Sequence, residues 1–226
     1  MISLIALTSC GGGGSSSDTT VPGSDTTLPD VERPITWKPC VTGFADGDEC
    51  GTLKVPFDYS EPSIGEFTLH LRRHPAQVPS ERIGSLLVNP GGPGFGGIFL
   101  AEEASSYFSS DLTDKFDIVA WDPRGTGEST PYVDCIDNYD DYFSYDITPS
   151  TPEEKQAGID LAKKFSDECQ LKSGKILPYI STNNSVRDME TIRRALGEEK
   201  ISYLGFSYGS ELGATWATMF PHTVRA

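Results

Sequence analysis

The 226-residue chain is poor in positive charge: Lys and Arg number 18 against 33 Asp and Glu, a formal net charge of −15. That balance argues against a nucleic-acid partner, because neutralising phosphates requires a basic surface, and against charge-driven docking on anionic lipid headgroups. Long hydrophobic runs are also missing; with no stretch of about 18 apolar residues, no spanning helix is expected. Histidine is scarce, with three residues, and the five cysteines form neither a CxxC nor a Cys/His cluster, which argues against a zinc site. Neither GxGxxG nor GxxxxGK[ST] occurs, which weakens a phosphate-loop reading of the glycine-rich stretches. There is no internal repeat. The chain is 37% hydrophobic, 10% aromatic and 23% charged. That suits a soluble globular protein of one domain, or a domain and a half, with its own core.

The N-terminus stands apart from the rest. Met1–Cys10 (MISLIALTSC) is short and apolar and ends in small residues. Leu7-Thr8-Ser9-Cys10 resembles the lipobox of bacterial lipoproteins, whose Cys is diacylated and becomes the new N-terminus. Residues 11–34 follow as a Gly/Ser/Thr/Asp/Pro-rich stretch with almost nothing to bury, which reads as a flexible tether. No Lys or Arg precedes Cys10, whereas a secretory signal carries a basic region and runs to about 15–30 residues; the expectation is a true start upstream, with Met1 internal. The chain is therefore expected to be exported from a bacterial cell, anchored to the membrane by lipid alone or extracellular. Setting Cys10 aside leaves Cys40, Cys50, Cys135 and Cys169. An even count in an exported chain implies two disulfides. Of the three pairings, the local pairs Cys40–Cys50 and Cys135–Cys169 are expected, since each closes a loop within one segment.

From residue 35 onward the pattern alternates strands and helices. Thr52–Phe57 and Glu66–Arg72 alternate apolar and polar residues and read as an antiparallel hairpin around a Pro/Gly/Ser turn near Glu61–Gly65. Ile83–Val88, Phe116–Trp121 and Ile201–Phe206 are short apolar runs of the kind that form buried parallel strands. Helical patterns cover Gly97–Phe108, Thr151–Cys169, Ser185–Leu196 and Tyr208–Phe220. Asn184 or Ser185 is the expected cap of the third, with Asp188 near its start, and Gly197 stands where a C-terminal glycine belongs. The result is an α/β fold: a mostly parallel sheet preceded by an antiparallel hairpin. The acidic, aromatic stretch Asp137–Asp146 reads as a solvated loop, or else as a cleft wall that attracts a cation.

Three motifs carry chemistry. Gly205-Phe206-Ser207-Tyr208-Gly209 is a GxSxG placed after a strand and before a helix, the context in which that motif presents a nucleophilic Ser. The Tyr208 backbone N–H, at the start of the helix, then faces a developing oxyanion. Asn89-Pro90-Gly91-Gly92-Pro93-Gly94 follows the strand Ile83–Val88 and supplies a second oxyanion donor from Gly91 or Gly92, a choice left open by the sequence. Trp121-Asp122-Pro123-Arg124-Gly125-Thr126-Gly127-Glu128-Ser129 ends the next strand and reads as a structural turn beside the site, locked by an Asp122–Arg124 salt bridge.

In this order the three motifs resemble the α/β-hydrolase fold, and within it the proline iminopeptidase/tripeptidyl aminopeptidase family of serine peptidases. Trp37, Cys40 and the segment Cys50-Gly51-Thr52-Leu53-Lys54-Val55-Pro56-Phe57-Asp58-Tyr59 with Pro62 are similar to the entry segment of exported members. The resemblance covers residues 35–226. Pro90 stands where many members carry His, as in the exported subgroup. The resemblance implies a peptide substrate with a free N-terminus, release of short tripeptidyl or prolyl-type units through an acyl-enzyme on Ser207, and no metal or organic cofactor. A carboxylic-ester hydrolase and a non-catalytic peptide-binding lipoprotein are the alternatives.

In this fold the order is Ser, then Asp or Glu, then His. After Ser207 come one acid, Glu211, and one histidine, His222, separated by about ten helical residues or roughly 15 Å. They do not fit a triad geometry. His70 and His74 precede the elbow and read as structural. The expectation is a chain that stops short of its remaining strands, acid, base and lid, inactive as a fragment. The sequence leaves oligomeric state open.

Overall fold

The computed structural model describes residues 34–41 and 47–226. Cys10 and nearly all of the tether over 11–34 lie outside the described residues. Six strands form one mixed sheet: β1 (Lys38–Pro39), β2 (Glu49–Pro56), β3 (Glu66–His74), β4 (Gly84–Asn89), β5 (Phe116–Asp122) and β6 (Ser202–Gly205). Their spatial order is β1-β2-β3-β5-β4-β6. The first three joins are antiparallel, and β5–β4 and β4–β6 are parallel. The hairpin is thus part of the sheet, because β3 pairs directly with β5 (His70 opposite Asp122). Residues 223–226 continue the parallel ladder beside β6: Ile201 N–H donates to Thr223 O at 2.9 Å, and Tyr203 N–H to Ala226 O at 3.0 Å.

Strand alternation sorts the core onto two faces. Leu86, Val88, Ile118 and Ala120 pack on one side with Leu100, Ala101, Ala104 and Phe108. Leu87, Val119 and Trp121 face the other side, with the inward residues of β2 and β3 and with Val186, Met189, Ile192, Leu212 and Trp216. The second set of partners comes from α6 (Thr182–Ala195) and α7 (Tyr208–Met219). β4 is buried at every position, as a parallel strand covered on both faces must be.

Several elements differ from the sequence pattern. The helix expected over Gly97–Phe108 is broken into α1 (Phe99–Glu102) and α2 (Ala104–Tyr107), followed by α3 (Ser110–Thr113). Glu103, at φ −110° and ψ 32°, leaves the helical basin and interrupts the run. The cap of α6 is Ser181, not Asn184 or Ser185: its extended backbone lets the hydroxyl accept the Asn184 N–H at 3.3 Å. Within the acidic stretch, Tyr139–Phe143 forms α4, held by the Asn138 side chain and packed through Tyr142 on Phe165 at 4.6 Å between ring centroids. α5 (Pro152–Ser173) opens on a capping box between Thr151 and Glu154. Gly197 lies at φ 73° just past α6, where the pattern put it. The two local disulfides are present, Cys40–Cys50 between β1 and β2 and Cys135–Cys169 between the post-β5 segment and α5.

Candidate active site

Ser207 joins β6 to α7 at φ 51°, ψ −123°, the one non-glycine residue with positive φ among those described. Its side chain is exposed. Such a backbone persists only where the surroundings enforce it, and here the flanking glycines do so. A Cβ on Gly205 would lie 2.3 Å from Gly209 O, and one on Gly209 2.8 Å from Asn89 O. The first turn of α7 consumes its own amides: Gly209 N–H donates to Phe206 O (2.7 Å) and Ser210 N–H to Ser207 O (2.9 Å). No carbonyl among the described residues takes the Tyr208 N–H, which leaves it an unsatisfied donor at the positive end of the helix. The Tyr208 phenol bonds Thr182 Oγ1 at 2.9 Å, fixing this turn against α6.

Asn89 joins the glycine loop to the elbow. Its carbonyl accepts the Phe206 N–H at 3.0 Å, and its side-chain Oδ1 accepts the Gly91 N–H at 2.8 Å. Gly91, at φ 91°, touches the elbow so closely that a Cβ there would meet Phe206 O at 2.4 Å and both Ser207 Cβ and Tyr208 N at 2.9 Å. Of the two candidate donors, Gly91 is therefore committed inside the loop. The Gly92 N–H is the one that no described carbonyl or carboxylate occupies.

The Asp122–Arg124 turn is built differently from its expected form. The two side chains do not pair. Arg124 reaches across to α6, where Asp188 takes its Nε at 2.8 Å and Nη2 at 2.6 Å, and it also donates to the carbonyls of Phe57, Tyr179 and Pro56. Asp122 instead accepts backbone N–H groups from Gly97 and Glu128, at 2.6 and 2.7 Å. A fully buried guanidinium needs more acceptors than one neighbouring turn offers. Asp188, read from sequence as a helix-start charge, is the buried partner, and Tyr59 donates to it at 2.8 Å.

None of the three histidines reaches Ser207. His70 lies on β3, opposite Asp122 and three strands from β6, roughly 14 Å at about 4.8 Å per strand. His74 is buried at the other end of β3 against Asp48 and Gln77, at 2.8 and 3.0 Å. His222 follows α7, about 18 Å along the axis from Ser207. Glu211 faces solvent on α7. Asn89, Asp188 and Tyr59 were not singled out for these roles by sequence, since each acts through a partner distant along the chain or through a backbone amide.

Residues 84–226 match the family described as the alpha/beta hydrolase fold. The chain belongs to that family. This alpha/beta hydrolase is 36% identical over 198 residues to the tripeptidyl aminopeptidase of Streptomyces coelicolor, covering 84% of this chain and 36% of that protein. It is 37% identical over 206 residues to the serine protease Hip1 of Mycobacterium tuberculosis, covering 88% of this chain and 39% of that protein. A carboxylesterase B of Mycobacterium tuberculosis is 35% identical over 176 residues, covering 74% of this chain and 34% of that protein. The chain spans less than two fifths of the length of these curated relatives.

Proposed function

We propose that this chain is the nucleophile-bearing part of an exported serine aminopeptidase that removes short units from the free N-terminus of peptides. The observation that carries the reading is the strained, exposed Ser207, held between the Tyr208 amide and the Gly91–Gly92 loop. In the proposed reaction Ser207 Oγ adds to the scissile carbonyl, and its proton passes to a general base. The carbonyl oxygen gains the negative charge between the N–H groups of Tyr208 and Gly92; one such donor is worth about 10²–10³ in rate. Collapse breaks the C–N bond, the base returns the proton to the leaving amine, and water then releases the acyl group from Ser207.

The base comes from polypeptide outside residues 1–226, because no histidine within them reaches Ser207; the isolated chain has negligible turnover. The peptidase names of two relatives support peptides as substrates. The third relative, named an esterase, favours a second reading, carboxylic-ester hydrolysis on the same Ser207. Cys10 carries the lipid that anchors the protein outside the cell, and residues 11–34 act as its tether.

A fluorophosphonate probe applied to intact host cells tests the nucleophile. Labelling of the mature protein and its loss in Ser207→Ala is the expected result; an unlabelled protein that still binds peptides would establish the non-catalytic alternative. Faster turnover of aminoacyl anilides than of simple acyl esters, abolished by N-acetylation, separates the peptidase from the esterase. Incorporation of labelled fatty acid that disappears in Cys10→Ser tests the anchor.

A further inference from the structure

Asp122 stands at the end of β5 with 1% of its surface exposed. Its carboxylate is satisfied by backbone amides from two loops. Oδ1 accepts from Gly97 at 2.6 Å and Ile98 at 3.2 Å, and Oδ2 accepts from Glu128 at 2.7 Å. Two glycines leave room for it: a Cβ on Gly96 would lie 2.5 Å from Oδ1, and one on Gly127 2.2 Å from Oδ2. A buried carboxylate persists only where several donors converge on it, and ionised acceptors make the stronger bonds.

Gly96 and Gly97 are the exit of the loop whose entry, Gly91, is held by Asn89. The loop carrying Gly92 is thus gripped at both ends, by an amide oxygen on β4 and a carboxylate on β5. Neither side chain is exposed to a substrate. On the reading that Ser207 is the nucleophile, we propose that Asp122 is a positioning residue for the oxyanion loop, setting the direction of the Gly92 N–H through the Gly97 and Ile98 amides. It would act on the rate of addition to the carbonyl and leave substrate affinity unchanged.

The test uses the whole protein made in its host, with variants Asp122→Ala, Asp122→Asn and Ser207→Ala. The readouts are the rate constant of fluorophosphonate labelling per labelled molecule, and kcat and KM on an aminoacyl anilide. A displacement of about 1 Å in such a group lowers rate about 10²-fold. Asp122→Ala is expected to show that loss in kcat and in the labelling rate constant, with KM within about twofold. Asp122→Asn keeps one acceptor oxygen but turns an NH2 toward an N–H donor, and is expected to lose roughly tenfold. A merely structural role would reduce the number of labelled molecules and leave their rate constant at the wild-type value, which overturns the inference. Should Asp122→Ala not fold, Asp122→Asn decides alone: wild-type kcat, or a raised KM at unchanged kcat, overturns the inference. Loss of labelling in Ser207→Ala beside a fully active Asp122→Asn overturns this inference only. Persistent labelling of Ser207→Ala overturns the nucleophile assignment, and this inference with it.

Discussion

Arg124 and Asp188, 64 positions apart in the chain, form a bidentate ion pair in which both side chains are 0% exposed. The pair joins the turn after β5 to α6, the helix that packs beside the elbow helix. Tyr59 and Thr191 complete the cluster, with the phenol 2.8 Å from Asp188 and 3.0 Å from Thr191 Oγ1.

Removing one member leaves the other charge buried without its partner, a loss of about 3–5 kcal/mol. Asp188→Ala and Arg124→Ala are each expected to lower the unfolding free energy obtained from urea melts by that much. The double variant Arg124→Ala/Asp188→Ala should lose markedly less than the sum of the two singles. A simple sum in the double variant would show that the two side chains do not interact.

Tyr59 gives the cluster an alkaline limit. Burial, and then the negative charge of Asp188, hold its phenol well above the ordinary value near 10. In the unfolded chain it ionises near that ordinary value, so its contribution is complete below about pH 10 and is lost as pH rises toward the folded value. Urea midpoints measured from pH 8 to pH 11.5 should fall more steeply in the wild type than in Tyr59→Phe. Tyrosinate absorbance from Tyr59 should appear only with unfolding.

Ser207 holds a backbone conformation that suits glycine better. Ser207→Gly should raise stability by about 1 kcal/mol, the strain relieved less the added freedom of the unfolded chain, while labelling by the probe disappears. Ser207→Ala should also lose labelling but should gain no stability, because Ala keeps the Cβ. Thermal melts of the three proteins make the comparison.

The Cys135–Cys169 bridge, with a sequence separation of 34, ties an exposed excursion built from α4 and α5. Closing a loop of that size is worth about 3–4 kcal/mol in the chain-entropy account, and no hydrogen bond links α4 or α5 to residues 205–209 among the described residues. The double variant Cys135→Ser/Cys169→Ser should be cut by protease between residues 137 and 168, with the Ser207 labelling rate unchanged. Protection equal to that of the wild type would show that helix packing alone holds the excursion.

Elements and motifs written locally were legible in the sequence. The all-apolar run of β4, the strand–GxSxG–helix order around Ser207, the C-terminal Gly197 and both disulfides followed from short patterns. The helix after β4 was misread because its apolar spacing hides the break at Glu103. The partner of Arg124 was misread because the nearest acid along the chain, Asp122, already serves backbone amides, whereas Asp188 becomes a neighbour only once α6 lies on the sheet. The choice between Gly91 and Gly92 was likewise closed to sequence, since it depends on where one amide oxygen of Asn89 points. Local periodicity specifies elements; satisfaction of buried polar groups is decided between elements.

Gly91, Gly205 and Gly209 leave no room for a methyl group: the nearest atom each would strike is a backbone oxygen, of Phe206, Gly209 and Asn89 respectively. In each case that nearest collision is with main chain, which no second substitution can shorten. A larger residue at any of the three therefore requires the main chain of the elbow or of its neighbouring strand end to move, which carries Ser207 with it.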